Sequence, residues 1–535
     1  MNLAIFNPLE EYEKRLKAGH LTSTTEFFDE LVKKSGIDIE KNRATVKEYH
    51  KYREQLAKLK KKLFWMRLLR VLMCITLILI PLVILKTTPK IKELRAEIEH
   101  ADNRADELFA EATAQMQPLN SLFTDRDCLE LVTKNVPLMK FDTCFSVKQE
   151  EDMKINYDFC DFGADEQSTL DVLAGNYNEN PFLFENKLVH TMGEETYHGY
   201  KTISWTETYR DSNGKLCTRR VSETLHATVT KPKPFYSTQV VLNYCSQGGP
   251  ELSFSRDATH LHSLNEKEIK RYIKKGEKRL EKKEDKALKD GKNFTSMANS
   301  EFEVLFDALD RTNEVQFRAL FTPLAQTNMV DLLLSKVGYG DDFNFIKLHR
   351  TNRIVSRHSQ GRAMQLLPSE YRSFDYDEIR SNFISKNEEF FKAVYFDFAP
   401  LLAIPMYQER PVHSLKPIPD YSQLYSLKEC EVLANAVSPH QVAHPKSKTQ
   451  AILKATYVGT RDNIDETCIT AFSYDIKKRV DVVVMHGGDG RFHNVEVEWD
   501  EYLPLVQENN FYVSTNDSAQ NRTIYAKHNN LCIFK

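Results

Sequence analysis

The chain has 535 residues, a formal net charge of -3 at pH 7 and 41% hydrophobic residues. This length predicts roughly two to four folding units with sizeable cores, and the nearly neutral charge argues against bulk binding of nucleic acid. Nine cysteines are scattered along the chain without a Cys-x-x-Cys pair, so a cysteine-based zinc site and a disulfide scaffold are not expected. We expect no metal and no cofactor.

Residues 1–43 have the pattern of short helices, and a membrane-spanning helix is predicted for residues 63–86. The stretch from Val71 to Leu85 carries no charge, but it is shorter than the roughly 20 residues that a spanning helix needs. A longer span that begins at Leu63 includes arginines whose stems can reach the headgroups. A buried core helix is the alternative. The predicted interface residues are Trp65, Arg67, Arg70 and Lys86.

A helical pattern extends over residues 44–117 and predicts a long helix or stalk that contains the span. If these residues form one helix, it would extend ~110 Å. On both sides of the span, apolar residues recur at alternating spacings of three and four, as in a heptad seam. The seam favours either a homo-oligomer or packing against the chain's own domain. Its members are Tyr49, Tyr52, Leu56, Leu59, Leu63, Met66, Ile91, Leu94, Ile98, Ala101, Ala105, Leu108 and Ala112.

The predicted location is the cell membrane, with a single pass and the lipid bilayer as partner. Lysines and arginines flank the span on both sides, with a slight excess before it, which favours a cytoplasmic N-terminus. The later cysteines look like thiols of a reducing compartment, which favours the opposite orientation. The side of the membrane that the C-terminal region faces therefore stays open.

Residues 118–264 predict an antiparallel β-rich subdomain. Its clearest unit is a hairpin whose outgoing strand is Tyr200–Arg210, because apolar and polar residues alternate there. Asn213-Gly214 supplies the positive φ that a tight hairpin turn requires. The returning strand is predicted to end at Lys231-Pro-Lys-Pro234.

Residues 265–292 form a basic charged helix in this prediction. A solvated surface helix is the simpler interpretation, since glutamates are interspersed among the lysines. Contact with anionic lipid or nucleic acid is the alternative, and of these two nucleic acid is the less expected. The predicted anionic-surface contacts are Lys270, Arg271, Lys274, Lys275, Lys278 and Arg279.

Two further subdomains of mixed helix and strand are predicted, over residues 293–415 and 416–535. Within the first, Val315–Phe321 has the pattern of a strand, and Phe343–Leu348 that of another. The predicted fold class is α+β: a long N-terminal membrane-spanning helical stalk followed by mostly antiparallel-sheet subdomains with packed helices.

Several strings between residues 120 and 515 carry a resemblance to a known family. Together they resemble a family of bacterial membrane proteins, from mollicutes and their relatives, that has no assigned activity. Residues 302–343 also resemble a wider bacterial domain of unknown function that is attached to membrane helices. The resemblance implies location and fold more than activity. The strings are Asn180-Pro-Phe-Leu-Phe184, Leu252-Ser-Phe-Ser-Arg256, Asp310-Arg311, Val315-Gln-Phe-Arg318, Leu320-Phe-Thr-Pro323, Gly338-Tyr-Gly-Asp-Asp-Phe343, Ala399-Pro-Leu-Leu-Ala-Ile-Pro405 and Gly487-Gly-Asp-Gly490.

Two short strings contain the candidate catalytic carboxylates Asp341, Asp342 and Asp489. Tyr339-Gly-Asp-Asp342 matches the metal-binding carboxylate string of viral RNA polymerases, but no partner carboxylates are evident upstream. His486-Gly-Gly-Asp-Gly490 resembles the phosphate-facing loop of diacylglycerol and NAD kinases. Arg491 stands where those kinases have threonine, and the alternation after it indicates a strand, so a hairpin turn is favoured there.

The leading hypothesis for function is a membrane-anchored protein that binds or scaffolds a partner without catalysis. It rests on the membrane segment, the seam and the missing catalytic motif. The first alternative is a membrane-tethered enzyme that uses carboxylates of residues 300–500 for phosphate or metal chemistry. The second is contact with anionic lipid or nucleic acid through the helix of residues 265–292.

Overall fold

The computed structural model of the protein describes residues 5–75, 80–160, 166–259, 261–291, 295–411, 416–437, 439–516, 523–528 and 531–534. The helices are α1 (Pro8–Glu11), α2 (Lys17–Ser35), α3 (Ile39–Ile75), α4 (Ile80–Asn120), α5 (Asp127–Asn135), α6 (Val147–Tyr157), α7 (Glu266–Lys289), α8 (Ser300–Phe306), α9 (Glu314–Leu320), α10 (Pro323–Leu334), α11 (Tyr376–Leu402), α12 (Leu427–Asn435) and α13 (Pro439–Val442). The strands are β1 (Met139–Phe141), β2 (Gln167–Tyr177), β3 (Asn180–Arg210), β4 (Leu216–Cys245), β5 (Ser253–Arg256), β6 (Phe343–Leu348), β7 (Thr351–Ser356), β8 (Ile452–Arg461), β9 (Ile464–His486), β10 (Phe492–Asn516), β11 (Thr523–His528) and β12 (Leu531–Phe534). The predicted α+β class is confirmed.

The chain divides into two compact units. Unit 1 contains Met1–Asn7, Leu138–Met364 and Asp397–Lys535, and unit 2 contains Pro8–Pro137 and Gln365–Phe396. Unit 2 is therefore helical, whereas unit 1 holds the strands and the remaining helices. Because unit 2 combines two distant stretches of sequence, the division does not follow the predicted chain segments.

The long helical pattern of unit 2 forms two helices that lie side by side. Side chains of α3 contact side chains of α4 along both helices, which one straight helix would not allow, so the prediction of one long helix does not match the structure. Gln115 of α4 donates to Thr45 of α3 over 3.1 Å, and Lys60 lies 3.8 Å from Asp102. Side chains that are far apart along the chain thus meet in an antiparallel order.

The predicted heptad seam joins α3 to α4 within the chain. Leu63 packs in one cluster with Ile91 and Leu94, and Ala105 and Leu108 of the seam are also buried. The apolar faces of two amphipathic helices can bury each other in this way, so a second chain is not needed to cover them. The seam is therefore a confirmed packing surface whose partner is the chain's own second helix.

The predicted span of residues 63–86 lies where α3 ends and α4 begins. Residues 76–79 lie outside the described part of the chain, as do the side chains of residues 69–87. Among the helices that are described, none is sufficiently long and apolar to cross a membrane.

Unit 1 is built on two antiparallel sheets. The first has the strand order β1-β2-β3-β4-β7-β6-β5, and the second has the order β12-β11-β10-β9-β8. Helix α12 packs on β8, β9 and β10 through a cluster that includes Cys430, Leu433, Ile469 and Phe511. A separate aromatic core around Phe254 joins the first sheet to α8 and α9.

Two long hairpins extend from these sheets and pack face to face; we call them the twin-hairpin arm. Residues Phe182–Arg210 of β3 pair with β4, and residues Asp465–His486 of β9 pair with β10. From Thr191 to Arg210 alone, twenty extended residues reach roughly 65 Å. Inward residues of both hairpins share one apolar cluster, whose buried members are Ile203, Leu225, Ala227, Val495 and Val497.

The predicted turn of the first hairpin is confirmed. Gly214 has φ of 78°, and its N–H donates to the Asp211 carbonyl over 2.9 Å. The Asp211 carboxylate also accepts from the N–H groups of Asn213 and Lys215, each over 2.9 Å. An aspartate that bonds backbone two residues ahead holds the loop closed.

The prediction that the returning strand ends at Lys231–Pro234 is wrong, because β4 continues through both prolines to Cys245. Pro232 lies opposite Glu194 and Pro234 lies opposite Met192, while β7 pairs with β4 only at Leu242–Cys245. A proline lacks the N–H that a central strand needs, but it is tolerated where that side of the strand is an edge.

The predicted strand at Val315–Phe321 is also wrong, because Glu314–Leu320 is helix α9. Phe317, Leu320 and Phe321 are buried, and their spacing of three and one fits one helical face. The Asn313 side chain accepts from the Gln316 N–H over 3.0 Å and caps the helix. Short apolar runs are ambiguous between strand and helix until a packing partner decides.

Replacing Gly199 with alanine is expected to force the two hairpins of the arm apart. A Cβ at Gly199 would lie 2.2 Å from the Glu496 carbonyl oxygen, and backbone cannot rotate away. We expect a loss of roughly 1–3 kcal/mol in unfolding free energy, as for an overpacked core. Chemical denaturation measures it, with Gly459→Ala as control because a Cβ at Gly459 meets nothing within 4 Å. Equal stability of both variants would contradict the tight contact.

Candidate functional site

The predicted catalytic residue Asp341 lies in a buried ion pair of unit 1. Its carboxylate contacts the Arg256 guanidinium, and both side chains are fully enclosed. Asp341 also accepts from the Thr259 N–H over 3.0 Å and from the Thr259 hydroxyl. Arg256 in turn donates to the Phe343 carbonyl over 3.0 Å. Arg256 and Thr259 thus hold the Asp341 carboxylate in the fold through an ion pair and hydrogen bonds.

The neighbouring Asp342 belongs to a carboxylate–histidine cluster, which consists of Asp342, His358, Ser359, Arg362 and Asp397. His358 Nδ1 lies 2.6 Å from Asp342, and Nε2 lies 3.4 Å from Asp397. Ser359 Oγ donates to both Asp397 oxygens, over 2.8 and 2.7 Å, and Arg362 donates over 2.8 Å. The imidazole can serve both carboxylates as a donor only when both of its nitrogens carry protons.

The cluster contains groups used in acid–base and nucleophilic catalysis, but their geometry is that of a structural network. Ser359 Oγ donates to the Asp397 carboxylate, whereas a catalytic serine donates its proton to a general base such as histidine. The Tyr339 ring also covers the imidazole, with the ring planes parallel and their centroids 3.7 Å apart. These contacts tie the segment before β6 and the loop after β7 to Asp397 on α11.

The third predicted carboxylate, Asp489, lies elsewhere, in the turn between β9 and β10. The turn is closed by the Gly487 N–H, which donates to the Arg491 carbonyl over 2.8 Å, and Gly490 has φ of 76°. His493 Nε2 lies 3.0 Å from Asp489, and hydrogen bonding to it lowers the pKa of this carboxyl group. The structure therefore confirms a hairpin turn and does not bring Asp489 to the other two aspartates.

The predicted basic helix is confirmed as α7, and it forms one wall of a surface groove of about 530 Å³. Asn265 caps the helix and accepts from the N–H groups of Lys267 and Glu268. Gly276 faces Val304 of α8, where its missing side chain allows close packing. The described residues that line the groove are Tyr272, Lys275, Gly276, Lys278, Arg279 and Lys282.

The groove contains only part of the predicted anionic-surface set. Lys275, Lys278 and Arg279 line it, while Arg279 also contacts Asp307 over 2.6 Å. Lys270, Arg271 and Lys274 lie on α7, exposed and outside the lining. The predicted set omitted Tyr272 and Lys282, although Tyr272 lies three positions before Lys275 and Lys282 lies four positions after Lys278. Four cations along one groove can hold an anion.

The predicted membrane-interface residues lie near the end of the helix pair at which α3 ends (Ile75) and α4 begins (Ile80). We call this end of the pair the closed end. Trp65 is 58% exposed and its ring packs edge-to-face against Phe64. Arg67 is exposed as well. Arg70 and Lys86 belong to the two helices, but their side chains lie outside the described part of the structure.

Three other reactive side chains, Lys347, Cys128 and Cys430, are buried within the protein. Burial lowers the pKa of the Lys347 ammonium to about 7. Lys347 nevertheless donates to the carbonyls of Gly248 and His349, over 2.7 and 2.6 Å. Burial raises the pKa of the Cys128 and Cys430 thiols to about 12, which removes their nucleophilic form at neutral pH. Among described residues, no group of three or more His, Cys, Asp or Glu side chains is arranged to hold a metal ion.

Sequence reasoning missed the partners of the predicted aspartates. His358 and Asp397 are separated by 39 positions, and neither lies in a recognisable motif. The only signal was the density of polar residues after Ser356, which loops also show. No family model matches the chain, and neither a curated protein nor a solved structure is found to be similar to it. The resemblance to the bacterial membrane family therefore stays a prediction.

Proposed function

We propose that the protein is a membrane-associated binding or scaffolding protein that works without catalysis, and that the twin-hairpin arm carries its binding surface. One observation carries this proposal. On the outward face of β9, Val480, Val482 and Val484 are 51%, 55% and 60% exposed, and Phe492 at the start of β10 is 74% exposed. Glu498 and Glu496 lie directly opposite Val480 and Val482 on β10.

An apolar row beside two carboxylates defines the chemistry of the partner. Exposed apolar patches on a monomer often mark sites of protein interaction. The glutamates favour a partner whose contact surface is apolar with a basic rim. Branched side chains on an extended ribbon present this surface rigidly, so little conformational entropy is lost on binding.

A photo-reactive amino acid at Val482 tests the binding surface in intact membranes. We expect a discrete adduct to one protein partner, because the side chain points outward from the middle of the arm. Val458 on β8 is 57% exposed and serves as the matched position, where no adduct to that partner is expected. If positions 480, 482 and 484 all fail to form adducts, or if Val458 forms the same one, the arm is not the binding surface.

The enzyme alternative has less support. Asp341 and Asp342 do converge with arginine and histidine, but each already accepts from protein donors in an enclosed network. Asp489 lies in a separate turn. A substrate would have to displace these internal bonds before it reached the carboxylates.

Homo-oligomer formation also stays a proposal. The prediction of an oligomer rested on the heptad seam. That seam packs α3 against α4 within the chain, so self-association would need a different surface. Mass photometry of the detergent-solubilised full chain decides the point. A single species at the mass of one chain would end the proposal.

The groove of α7 supports a second candidate, contact with a phosphate-bearing anion. Lys275→Glu/Lys278→Glu/Lys282→Glu reverses the charge of the lining. We expect this variant to lose inorganic phosphate binding, measured by titration calorimetry of the full chain. Lys267→Glu/Lys286→Glu/Lys289→Glu changes the net charge equally on the same helix and should retain binding. Equal losses in both variants would indicate a diffuse charge effect without a site.

A further inference from the structure

The pairing of α3 with α4 brings both flanks of the apolar stretch to the same end of unit 2. Thr45 meets Gln115, and nearer the closed end Leu63 meets Ile91 and Leu94. The residues before and after the uncharged stretch are therefore neighbours in space. A single-pass helix would instead place them on opposite faces of a bilayer.

The length of the closed end matches one leaflet. From Leu63 to Ile75, α3 rises about 18 Å. The hydrocarbon core of a bilayer is about 30 Å thick, so one leaflet contributes about 15 Å. The sequence from Val71 to Leu85 contains no charged residue.

Exposed lysines and arginines are dense on both helices next to this end, at residues 58–67 of α3 and 88–95 of α4; we call them the collar. Between residues 58–67 and 88–95 the only carboxylate is Glu93. The collar also exposes the Phe64 and Trp65 rings, at 61% and 58%, and aromatic rings of this kind favour the headgroup region. The exposed collar cations are Lys58, Lys60, Lys61, Lys62, Arg67, Lys90, Lys92 and Arg95.

We propose that the α3–α4 hairpin inserts its closed end into a single leaflet of an anionic bilayer, so that both flanks remain on the same side. The inference rests on the proposed membrane association and replaces the single pass with a hairpin. It also explains the conflicting orientation signals, because the positive-inside rule attracts both flanks to the same face when neither crosses. The collar cations add electrostatic attraction to an anionic surface.

Two added cysteines distinguish a hairpin from a single pass. Lys58→Cys and Arg95→Cys place one new thiol on each flank of the full chain, and each variant is compared with the parent for extra adducts of a membrane-impermeant maleimide. In intact cells, the hairpin gives the same result at both positions, and permeabilisation changes both together. Opposite accessibility would overturn the hairpin and leave the membrane association standing. Loss of the parent protein from membranes during a carbonate wash would instead overturn the membrane association itself.

A matched leucine pair tests insertion directly. Leu68 and Leu21 are both exposed on helices of unit 2, but only Leu68 lies near the closed end. We expect Leu68→Glu to weaken binding of the full chain to vesicles of phosphatidylcholine and phosphatidylserine by about tenfold or more, since a charge is costly in hydrocarbon. Leu21→Glu should bind like the parent protein. Equal binding by both variants would show that the closed end does not enter the bilayer.

Discussion

Asp341→Asn is expected to lower the unfolding free energy of unit 1 by roughly 3–5 kcal/mol, which is the usual cost of leaving one partner of a buried ion pair alone. Arg256 is enclosed on all sides, and its guanidinium cannot regain the hydration that it gave up on folding. The asparagine side chain fills nearly the same volume, so the loss reports on charge and hydrogen bonding and not on a cavity.

Chemical denaturation of the full chain measures this loss in the transition of unit 1. Asp158→Asn is the matched control: Asp158 pairs with Arg350 over 2.6 Å in the same unit, but both side chains are solvent-exposed. Asparagine also tolerates the positive φ of 59° at this position. We expect the control to change stability by less than about 1 kcal/mol. Similar losses in both variants would show that the buried pair contributes no more than a surface pair.

Lys347→Met is expected to remove a strong pH dependence of stability. Burial lowers the pKa of Lys347 to about 7, whereas a lysine in the unfolded chain titrates near its ordinary pKa of 10.5. Between these values the unfolded chain binds a proton that the folded chain does not, so the unfolding free energy rises with pH. From pH 7 to pH 9.5 the wild type should gain about 3 kcal/mol relative to the variant, at 1.36 kcal/mol for each pH unit.

Denaturation at a series of pH values compares the wild type with Lys347→Met and with Lys289→Met. Lys289 is exposed at the end of α7, so its loss should leave the slope unchanged. Below pH 7 the folded and unfolded wild type both carry the Lys347 proton. Plots of unfolding free energy against pH for the wild type and Lys347→Met should therefore run parallel there. Parallel curves up to pH 9.5 would mean that water reaches the Lys347 ammonium in the folded state.

Local sequence signals determined those elements whose physics is local. Asn213-Gly214 predicts its hairpin because few residues accept positive φ, and Gly214 adopts it. The Asn265 cap and the run of helix formers predict α7 without reference to any partner. The alternation after Arg491 correctly favoured a turn at Asp489, because a phosphate-binding loop would need a helix to follow.

The candidate site could be predicted only in part. Asp341 and Asp342 were selected as a carboxylate pair, and they do lie among buried charges. Their roles depend on Arg256, His358 and Asp397, which come from three distant segments. Without that convergence, an aspartate that holds a loop and an aspartate that binds a metal have the same sequence signature.

Tertiary packing decided what local patterns left ambiguous. Val315–Phe321 became a helix because its aromatic side chains meet Phe254, and β4 passes through Pro232 and Pro234 because its outer side there is an edge.

The sequence by itself determined that an uncharged stretch lies between two heptad seams with basic flanks, because charge, hydrophobicity and period can be read directly from residue types. Only the tertiary structure decided that the seams belong to two antiparallel helices. A seam specifies an apolar stripe and not the partner that covers it, and burial of Leu63 against Ile91 within one chain satisfies both stripes at once.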